Sequence, residues 1–538
     1  MIKRLALWAA PLLFVAVLFY LPLGRILGLG LSSDWLKIFG QSETAEAIWF
    51  TIWQAAISTI ICLLLGIPGA YILYRRRFFG QRFIRALITV PLVLPTIIVA
   101  IAFSNFRDLP AIPVIIAAHV FVNYSITVRT IGGVWATMDN ETEEAAELAG
   151  AGRFRTLISI SLPQLKPAVV SAAALTFLFC STSYGIILVI GGGLVHSVET
   201  EIALSAVQLL DLPKASALAL FQTLLTVVAF TISENIVKTS IGIEQVDEGS
   251  PKPSIDRRDW AAVAFTVLPL LILIVSPLVL VLSKAFMFDG AFSLQNFVNL
   301  STRGDRQLLN ISVAQATLNT LRNVVISTSI AVCLGTLAAW LLSRPSKTRV
   351  QHFIQKGMDV LFLLPMGISS VVLGFGYLIS FGSGPIPLRE SWLVIPLVQA
   401  LMALPLVIRL VYPALLSLGN DHREAASTAG ANACQTWWHI ESRMIRNVIL
   451  TAIGYALIVS IGEFGAASLL AYGDQATLPT VLFALISRPG QTNYGMAMAV
   501  SACLILLTLA MVFAVSLRKR PSLRQQVQKA RQLFSSAR

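Results

Sequence analysis

The feature that most constrains this chain is a series of long apolar runs. A transmembrane helix needs about 20 mostly apolar residues, and twelve segments of the 538-residue chain meet this requirement. Charged residues make up 12% of the chain, roughly half the share found in soluble domains. The runs do not alternate polar and apolar residues as barrel strands do, so we predict an all-α polytopic membrane protein. The predicted spans are 5–23, 50–74, 86–105, 112–134, 167–190, 216–236, 260–283, 323–343, 358–381, 392–416, 447–471 and 495–516.

The basic residues predict the orientation of these spans. Arg75, Arg76 and Arg77 follow the second span, and placing them on the cytoplasmic side also places both termini there. In that orientation 30 of the 40 Lys and Arg residues lie in cytoplasmic segments, as the positive-inside rule requires. The net charge of +13 is thereby explained by topology. We therefore expect contact with membrane lipid and no nucleic-acid partner.

The chain contains two copies of one pattern. The segment from Gln54 to Thr59 matches 323–328 at an offset of 269, whereas Tyr184-Gly185 matches Phe464-Gly465 at an offset of 280. The change in offset predicts an insertion of about 11 residues near 380–392. Each half holds six spans in the same order, which predicts parallel repeats related by an axis along the membrane normal. The predicted units are a first six-helix half at 1–236, a cytoplasmic linker at 237–258, a second six-helix half at 259–516 and a basic cytoplasmic tail at 517–538.

The polar loop after the fourth span of each half has an unusual pattern, in which an acidic residue and two alanines precede a glycine. Glutamate and alanine favour a helix, and glycine allows a turn that other residues resist. An amphipathic connector would explain one such loop, but two in repeat register predict helical knobs that seat in a partner protein. The positions are Glu144, Ala145, Ala146 and Gly150 in the first half, and Glu424, Ala425, Ala426 and Gly430 in the second.

This pattern resembles the EAA loop in the permease subunits of binding-protein-dependent ABC importers. The first copy resembles the family pattern through Leu162-Pro163, whereas the second has Ser442-Arg443 at that place. The resemblance implies the ABC importer permease fold in a bacterial inner membrane. It also implies that the two loops dock onto two ATP-binding cassette subunits at the cytoplasmic face. A soluble substrate-binding protein would dock at the outer face, where loops 191–215 and 472–494 lie.

Other segments resemble more specific members of this family. The stretch from His119 to Asn123 resembles the thiamine importer permeases, and the stretch from Ser460 to Gly465 resembles both these and the iron(III) importer permeases. The resemblance implies ATP-driven import of thiamine or iron(III). The alternative is a secondary transporter with parallel repeats for a small cationic solute, which would require ionisable residues deep in several spans.

The fifth span of each half is predicted to line the translocation path, because polar residues and glycine interrupt it near its outer end. Glu463 is an ionisable group within a span, and such groups are costly and usually functional. Its carboxylate would attract a cationic substrate, or it would serve as a helix-end carboxylate bonded to its neighbours. The aromatic residues would gate the path or pack beside it. The candidates are Ser183, Tyr184, Gly185, Glu463, Phe464 and Gly465.

The sequence contains no motif for chemistry of its own. No Gly-Lys dipeptide is present, so the chain has no phosphate-binding loop of the P-loop type. Its five histidines show no metal-ligand spacing. We therefore expect no catalytic residue, metal site or bound cofactor, and we expect ATP to be used by the partner subunits.

Overall fold

The computed structural model describes residues 2–106, 108–138, 141–237, 253–344, 348–382, 391–471 and 473–516. The described part is almost entirely helical, apart from one short antiparallel hairpin with β1 at Met287–Phe288 and β2 at Ala291–Phe292. Most of the predicted linker and the whole predicted tail lie outside the described residues. The domain boundaries therefore remain predictions.

The helices follow the same order in both halves of the chain. In the first half they are α1 Ile2–Val15, α2 Leu21–Leu31, α3 Trp35–Phe39, α4 Ser42–Arg75, α5 Gln81–Val93, α6 Thr96–Phe103, α7 Ala111–Trp135, α8 Glu141–Leu148, α9 Arg153–Thr156, α10 Leu162–Ser181, α11 Gly185–Gly191, α12 Val198–Val207 and α13 Leu212–Val237. In the second half they are α14 Trp260–Pro269, α15 Ser276–Ala285, α16 Gln295–Val298, α17 Val313–Leu342, α18 Arg349–Leu363, α19 Ser370–Phe381, α20 Val394–Ser417, α21 Asp421–Thr428, α22 Ala433–Thr436, α23 Ser442–Met444, α24 Arg446–Gly462, α25 Gly465–Leu470, α26 Leu478–Ser487 and α27 Gln491–Ser516.

The prediction of about twelve membrane helices is confirmed. Within the described residues, nine helical segments are long and apolar enough to span a bilayer, and three bent pairs bring the number to 12 if each pair is one span. The bent pairs α5–α6 and α18–α19 form the third span of each half, with bends of 99° and 100°. The first bend falls at Pro95, whose preceding residue Leu94 is extended, because proline disfavours a helical residue before it.

Small residues let the spans approach one another closely. A Cβ atom at Gly66 in α4 would lie 2.5 Å from Thr127 Cγ2 in α7, and one at Gly335 in α17 would lie 2.8 Å from Val407 Cγ1 in α20. Both contacts join equivalent positions of the two repeats. Small residues at helix crossings are a general device of membrane bundles, so the second and fourth spans pack alike in both halves.

The first span of each half packs against the other half. Helix α1 contacts α17, and α14 contacts α4. Where α14 meets α4, Arg76 and Asp259 form an ion pair at 3.0 Å between Nε and Oδ2. The Tyr71 hydroxyl donates a hydrogen bond to Asp259 Oδ1 at 3.1 Å. Because the first span of each half packs on the other half, the two halves form one bundle.

Candidate functional site

The two predicted coupling loops have the same backbone structure. Helices α8 and α21 each have eight residues, and the chain then turns at Gly150 with φ +86° and at Gly430 with φ +82°. The Ala151 N–H donates to the Ala146 carbonyl at 2.9 Å, and the Ala431 N–H donates to the Ala426 carbonyl at 2.9 Å. This is the Schellman arrangement that ends a helix at a left-handed glycine.

The loops present most of their predicted contact positions to solvent. Ala145 and Gly150 are exposed in the first loop, as are Glu424, Ala425 and Gly430 in the second. Ala146 is half-buried and its counterpart Ala426 is buried, so the second alanine of each pattern faces the bundle. The side chain of Glu144 lies outside the described residues. The geometry thus leaves one face of each loop open.

The path of the chain after the two loops differs between the halves, as does the sequence there. In the first half, a π-helical segment at Leu157–Ser161 continues directly into α10. In the second half, the equivalent π-helical segment at Trp437–Glu441 leads into the short α23, and the chain bends by 77° before α24. The residues Ser442-Arg443, which stand where the family pattern has Leu-Pro, form the start of α23.

An ion pair ties the first loop to the second span. Arg75, the last residue of α4, places Nη2 2.5 Å from Glu143 Oε2 in α8. The Ser161 hydroxyl donates to the other carboxylate oxygen of Glu143 at 2.8 Å. Arg75 Nη1 also donates to the Met138 carbonyl at 3.0 Å. These contacts join α8 directly to the end of α4.

The second loop is also tied to the second span of its half by arginine–glutamate ion pairs, but the glutamate occupies a different position in the repeat. Arg344, the repeat equivalent of Arg75, lies 2.6 Å from Glu441 Oε2. Arg423 in α21 lies 2.6 Å from Glu441 Oε1, and Trp340 Nε1 donates to Glu441 Oε2 at 3.0 Å. Arg423 corresponds to Glu143, and Glu441 corresponds to Ser161. Each half thus has an ion-pair anchor between its loop and its second span. The acidic residue of the anchor lies in α8 in the first half and in the π-helical segment after α22 in the second half.

The fifth spans are broken where the sequence predicts an interruption. Helix α10 ends at Ser181 and α11 begins at Gly185, whereas α24 ends at Gly462 and α25 begins at Gly465. Side-chain amides satisfy the carbonyl groups freed at the breaks. Gln222 Nε2 donates to the Ser181 carbonyl, and Gln399 Nε2 donates to the Ser460 carbonyl, each at 3.0 Å. Broken helices are tolerated at membrane depth when such partners exist.

Tyr184 and Phe464 stack on one another across the two halves. Their ring centroids are 5.5 Å apart and their planes are 26° from parallel. The two residues occupy equivalent positions of the repeat, and equivalent residues contact each other only beside the pseudo-twofold axis. The stack therefore lies at the centre of the bundle. A Cβ atom at Gly185 would lie 3.2 Å from Phe464 Cδ1, so glycine at this position permits the close approach.

Glu463 has a clear structural partner in this arrangement. Its carboxylate accepts hydrogen bonds from the Ala466 N–H at 2.7 Å and the Ala467 N–H at 3.1 Å, at the start of α25. Ser183, the equivalent residue in the first half, is buried and its hydroxyl has no hydrogen-bond partner among the described residues. These hydrogen bonds are the helix-end contacts of the second interpretation, and a place for Glu463 on the path stays a prediction.

Two acidic residues placed by sequence in an outer loop are instead buried. Glu199 and Glu201 in α12 are 0% and 3% exposed. Glu201 pairs with Lys214 at 2.7 Å, whereas Glu199 accepts a hydrogen bond from Ser369 of the second half at 2.6 Å. The sequence gives no signal of this burial, because two acids separated by Thr200 suit an exposed loop as well as a buried helix.

Helix α12 and its repeat equivalent α26 are held in the same way. Capping boxes begin both helices, formed by Ser197 with Thr200 and by Thr477 with Thr480. The second spans bind both starts, since Thr51 Oγ1 accepts from the Val198 N–H at 2.9 Å and Thr320 Oγ1 accepts from the Leu478 N–H at 2.8 Å. Across the described ranges, no group of three or more His, Cys, Asp or Glu residues is placed to hold a metal ion.

Comparison with known proteins is consistent with this arrangement. The chain matches the family described as binding-protein-dependent transport system inner membrane component over residues 62–241 and again over residues 331–522. It is 24% identical to the thiamine transport system permease protein ThiP of Salmonella typhimurium, covering 96% of this chain and 97% of that protein. The ThiP of Escherichia coli is 23% identical, covering 90% of each chain. A probable ABC transporter permease protein of Sinorhizobium fredii is also 23% identical, covering 87% of this chain and 86% of that protein.

Proposed function

This chain belongs to the family of binding-protein-dependent transport system inner membrane components, and from this membership we propose that it is the membrane subunit of an ATP-driven ABC importer. The observation that carries the proposal is the pair of repeat-related loops, each an eight-residue helix closed by a left-handed glycine. Two equivalent exposed surfaces suit two copies of one ATP-binding subunit. The chain itself binds no cofactor in this proposal, and ATP is used by those partners.

The proposed mechanism couples the loops to the centre of the bundle. ATP binding draws the two partner subunits together and carries both loops with them. The anchors at Glu143 and Glu441 transmit this movement to α4 and α17, which in turn hold α12 and α26 through Thr51 and Thr320. The halves then part at the Tyr184–Phe464 stack, and the path opens alternately to each side. Ser183, Gly185, Glu463 and Gly465 lie around this stack and form the proposed path.

Thiamine is the substrate that we propose first, because the two ThiP relatives carry it in their names. Iron(III), which the sequence also suggests, is the alternative cargo. A secondary transporter loses its support, since family membership accounts for the paired loops. We propose that both termini and the loops face the cytoplasm of a bacterium and that a soluble binding protein delivers substrate at the opposite face.

We expect Glu144→Arg combined with Glu424→Arg to weaken association with the ATP-binding subunits by up to about 30-fold, since each reversed charge costs up to about 1 kcal/mol at a surface contact and about 1.4 kcal/mol is a factor of ten. Co-purification from membranes and thiamine uptake measure the effect. Glu46→Arg combined with Asp108→Arg, both exposed at the opposite end and outside the two loops proposed for the binding protein, is the charge-matched control. Unaltered co-purification and uptake in the double variant would show that these loops are not the docking sites.

We expect Tyr184→Ala combined with Phe464→Ala to allow thiamine to cross without the binding protein, because the variant removes the stack that closes the centre of the bundle. Uptake into proteoliposomes that lack the binding protein measures this leak. Phe39→Ala removes a ring stacked on Trp35 within the first half and serves as the control. A double variant as tight as the control would place the closure elsewhere.

A further inference from the structure

One fully buried carboxylate at the interface of the halves has no cationic partner. Glu199 Oε1 has no hydrogen-bond partner among the described residues, and Oε2 receives only the Ser369 hydroxyl. The Gln222 side chain lies nearby, but its Nε2 donates to the Ser181 carbonyl at 3.0 Å. Glu201, two residues further along α12, has its ion pair with Lys214. Glu199 therefore differs from Glu201, which has a cation, and from Glu463, whose carboxylate accepts two backbone N–H hydrogen bonds.

This carboxylate is not needed to build the helix that carries it. The repeat equivalent of Glu199 is Pro479, yet α26 begins with the same kind of capping box as α12 and is held by the equivalent threonine. An ionised carboxylate that is buried without a partner costs several kcal/mol. Glu199 therefore lowers the stability of the folded protein and is not required for α12, so its presence needs a reason other than the formation of this helix.

The position of Glu199 connects it to the closure of the bundle. Ser369, its partner, precedes α19, and the next residue, Ser370, lies against Gly465, since a Cβ atom at Gly465 would clash with the Ser370 hydroxyl oxygen. Gly465 directly follows Phe464, the residue that stacks on Tyr184. The segment that carries Ser369 and Ser370 therefore connects the Glu199 carboxylate to the aromatic stack where the two halves contact each other.

We propose that Glu199 receives the positively charged group of the transported substrate, an aromatic organic cation that the Tyr184 and Phe464 rings cover when the halves part. This inference rests on the proposed importer function and specifies its substrate class. A cation relieves the cost of the buried carboxylate, and aromatic faces attract cations. In the closed arrangement a proton on the carboxylate relieves the same cost. Because Pro479 stands at the equivalent position, the site accepts one cation per bundle.

The test separates the charge of Glu199 from its hydrogen bond. Thiamine uptake is measured in proteoliposomes with the ATP-binding subunits and the binding protein. Glu199→Gln keeps an acceptor for Ser369 and removes the charge, so we expect uptake to fall about tenfold or more, as for the loss of one charge-assisted contact. Glu199→Asp keeps the charge and should retain more uptake than Glu199→Gln. Ser369→Ala keeps the charge and removes only the hydrogen bond, so it should retain more uptake than Glu199→Gln.

The opposite pattern would overturn the inference. If Ser369→Ala lost as much uptake as Glu199→Gln, or if Glu199→Gln transported thiamine as well as the unmodified chain, the carboxylate would only hold the halves together. Glu46→Gln, which removes one exposed carboxylate, controls for the change in net charge. Failure of the proposed function looks different, because the unmodified complex itself would then take up no thiamine, and the inference would fall with it.

Discussion

The variant Glu441→Ala is expected to lose up to about 3–5 kcal/mol of stability, because it removes the carboxylate that two largely buried guanidinium groups share. Glu441 is 1% exposed and accepts from Arg344, Arg423 and Trp340. The loss would appear as a lower unfolding midpoint in denaturing detergent. Uptake should fall as well, because the second loop loses its attachment to α17.

The two anchors carry their glutamate at different repeat positions, and this difference allows a more specific test of the first anchor. Glu143→Arg alone places a second guanidinium beside Arg75, and Ser161→Glu alone places a second carboxylate beside Glu143. The two changes together rebuild the arrangement of the second half in the first. We expect each single variant to lose uptake and the double variant to recover most of it. A double variant no better than the worse single variant would contradict an exchangeable anchor.

The anchor should also respond to acid in a defined direction. Burial raises the pKa of Glu441, but the hydrogen bonds from Arg344 and Arg423 overcome this effect and hold the pKa below its ordinary value. A carboxyl group with a lowered pKa stabilises the folded state above its unfolded pKa and loses this contribution as the pH falls through its folded value. The anchor is therefore intact at neutral pH and weakens only in acid.

The variant Gly150→Val combined with Gly430→Val is expected to uncouple the chain from its ATP-binding subunits. Both glycines have positive φ, and no atom lies within 4 Å of a Cβ placed there, so the cost comes from the backbone alone. A non-glycine residue in the left-handed region costs about 1–2 kcal/mol, which gives about 2–4 kcal/mol for the pair. Co-purification of the ATP-binding subunits and the ratio of uptake to ATP hydrolysis measure the result.

Asparagine provides the matched control for the glycine variants. It tolerates the left-handed region better than other residues, and the open space around both positions accommodates its side chain. Gly150→Asn combined with Gly430→Asn should therefore retain most of the coupling. Equal losses in the Val and Asn pairs would mean that side-chain size at the docking surface, and not the turn, determines the effect.

The fold was largely predictable because its signals are local. A run of apolar residues predicts a span wherever it packs, and the repeat offset predicts the symmetry from the chain alone. The breaks after Ser181 and Gly462 fall where polar residues and glycine interrupt the fifth spans. The third spans were predicted as single helices, and each is bent. Pro95 signals the first bend, but the sequence does not give the angle, which depends on packing.

The candidate site was predictable only in part, because its contacts join distant segments. Tyr184 and Phe464 were recognised as equivalent residues, yet their contact requires two halves that close around one axis. The anchors were missed, since their acidic residue occupies different positions in the two repeats. Glu199 was assigned to an outer loop, because the sequence gives no sign that Ser369 covers it.

The sequence by itself determined the membrane-spanning helices, their parallel repeat and the glycine-turned loops, because each depends on residues close together in the chain. Only the tertiary structure decided which of the charged residues are paired and which are buried alone. Burial of Glu199 or pairing of Arg344 depends on segments 97 to 170 residues away, and the free energy of a buried charge is set by these neighbours. The charged residues therefore predict the membrane topology from the sequence, but the role of each one is determined by its neighbours in the folded bundle.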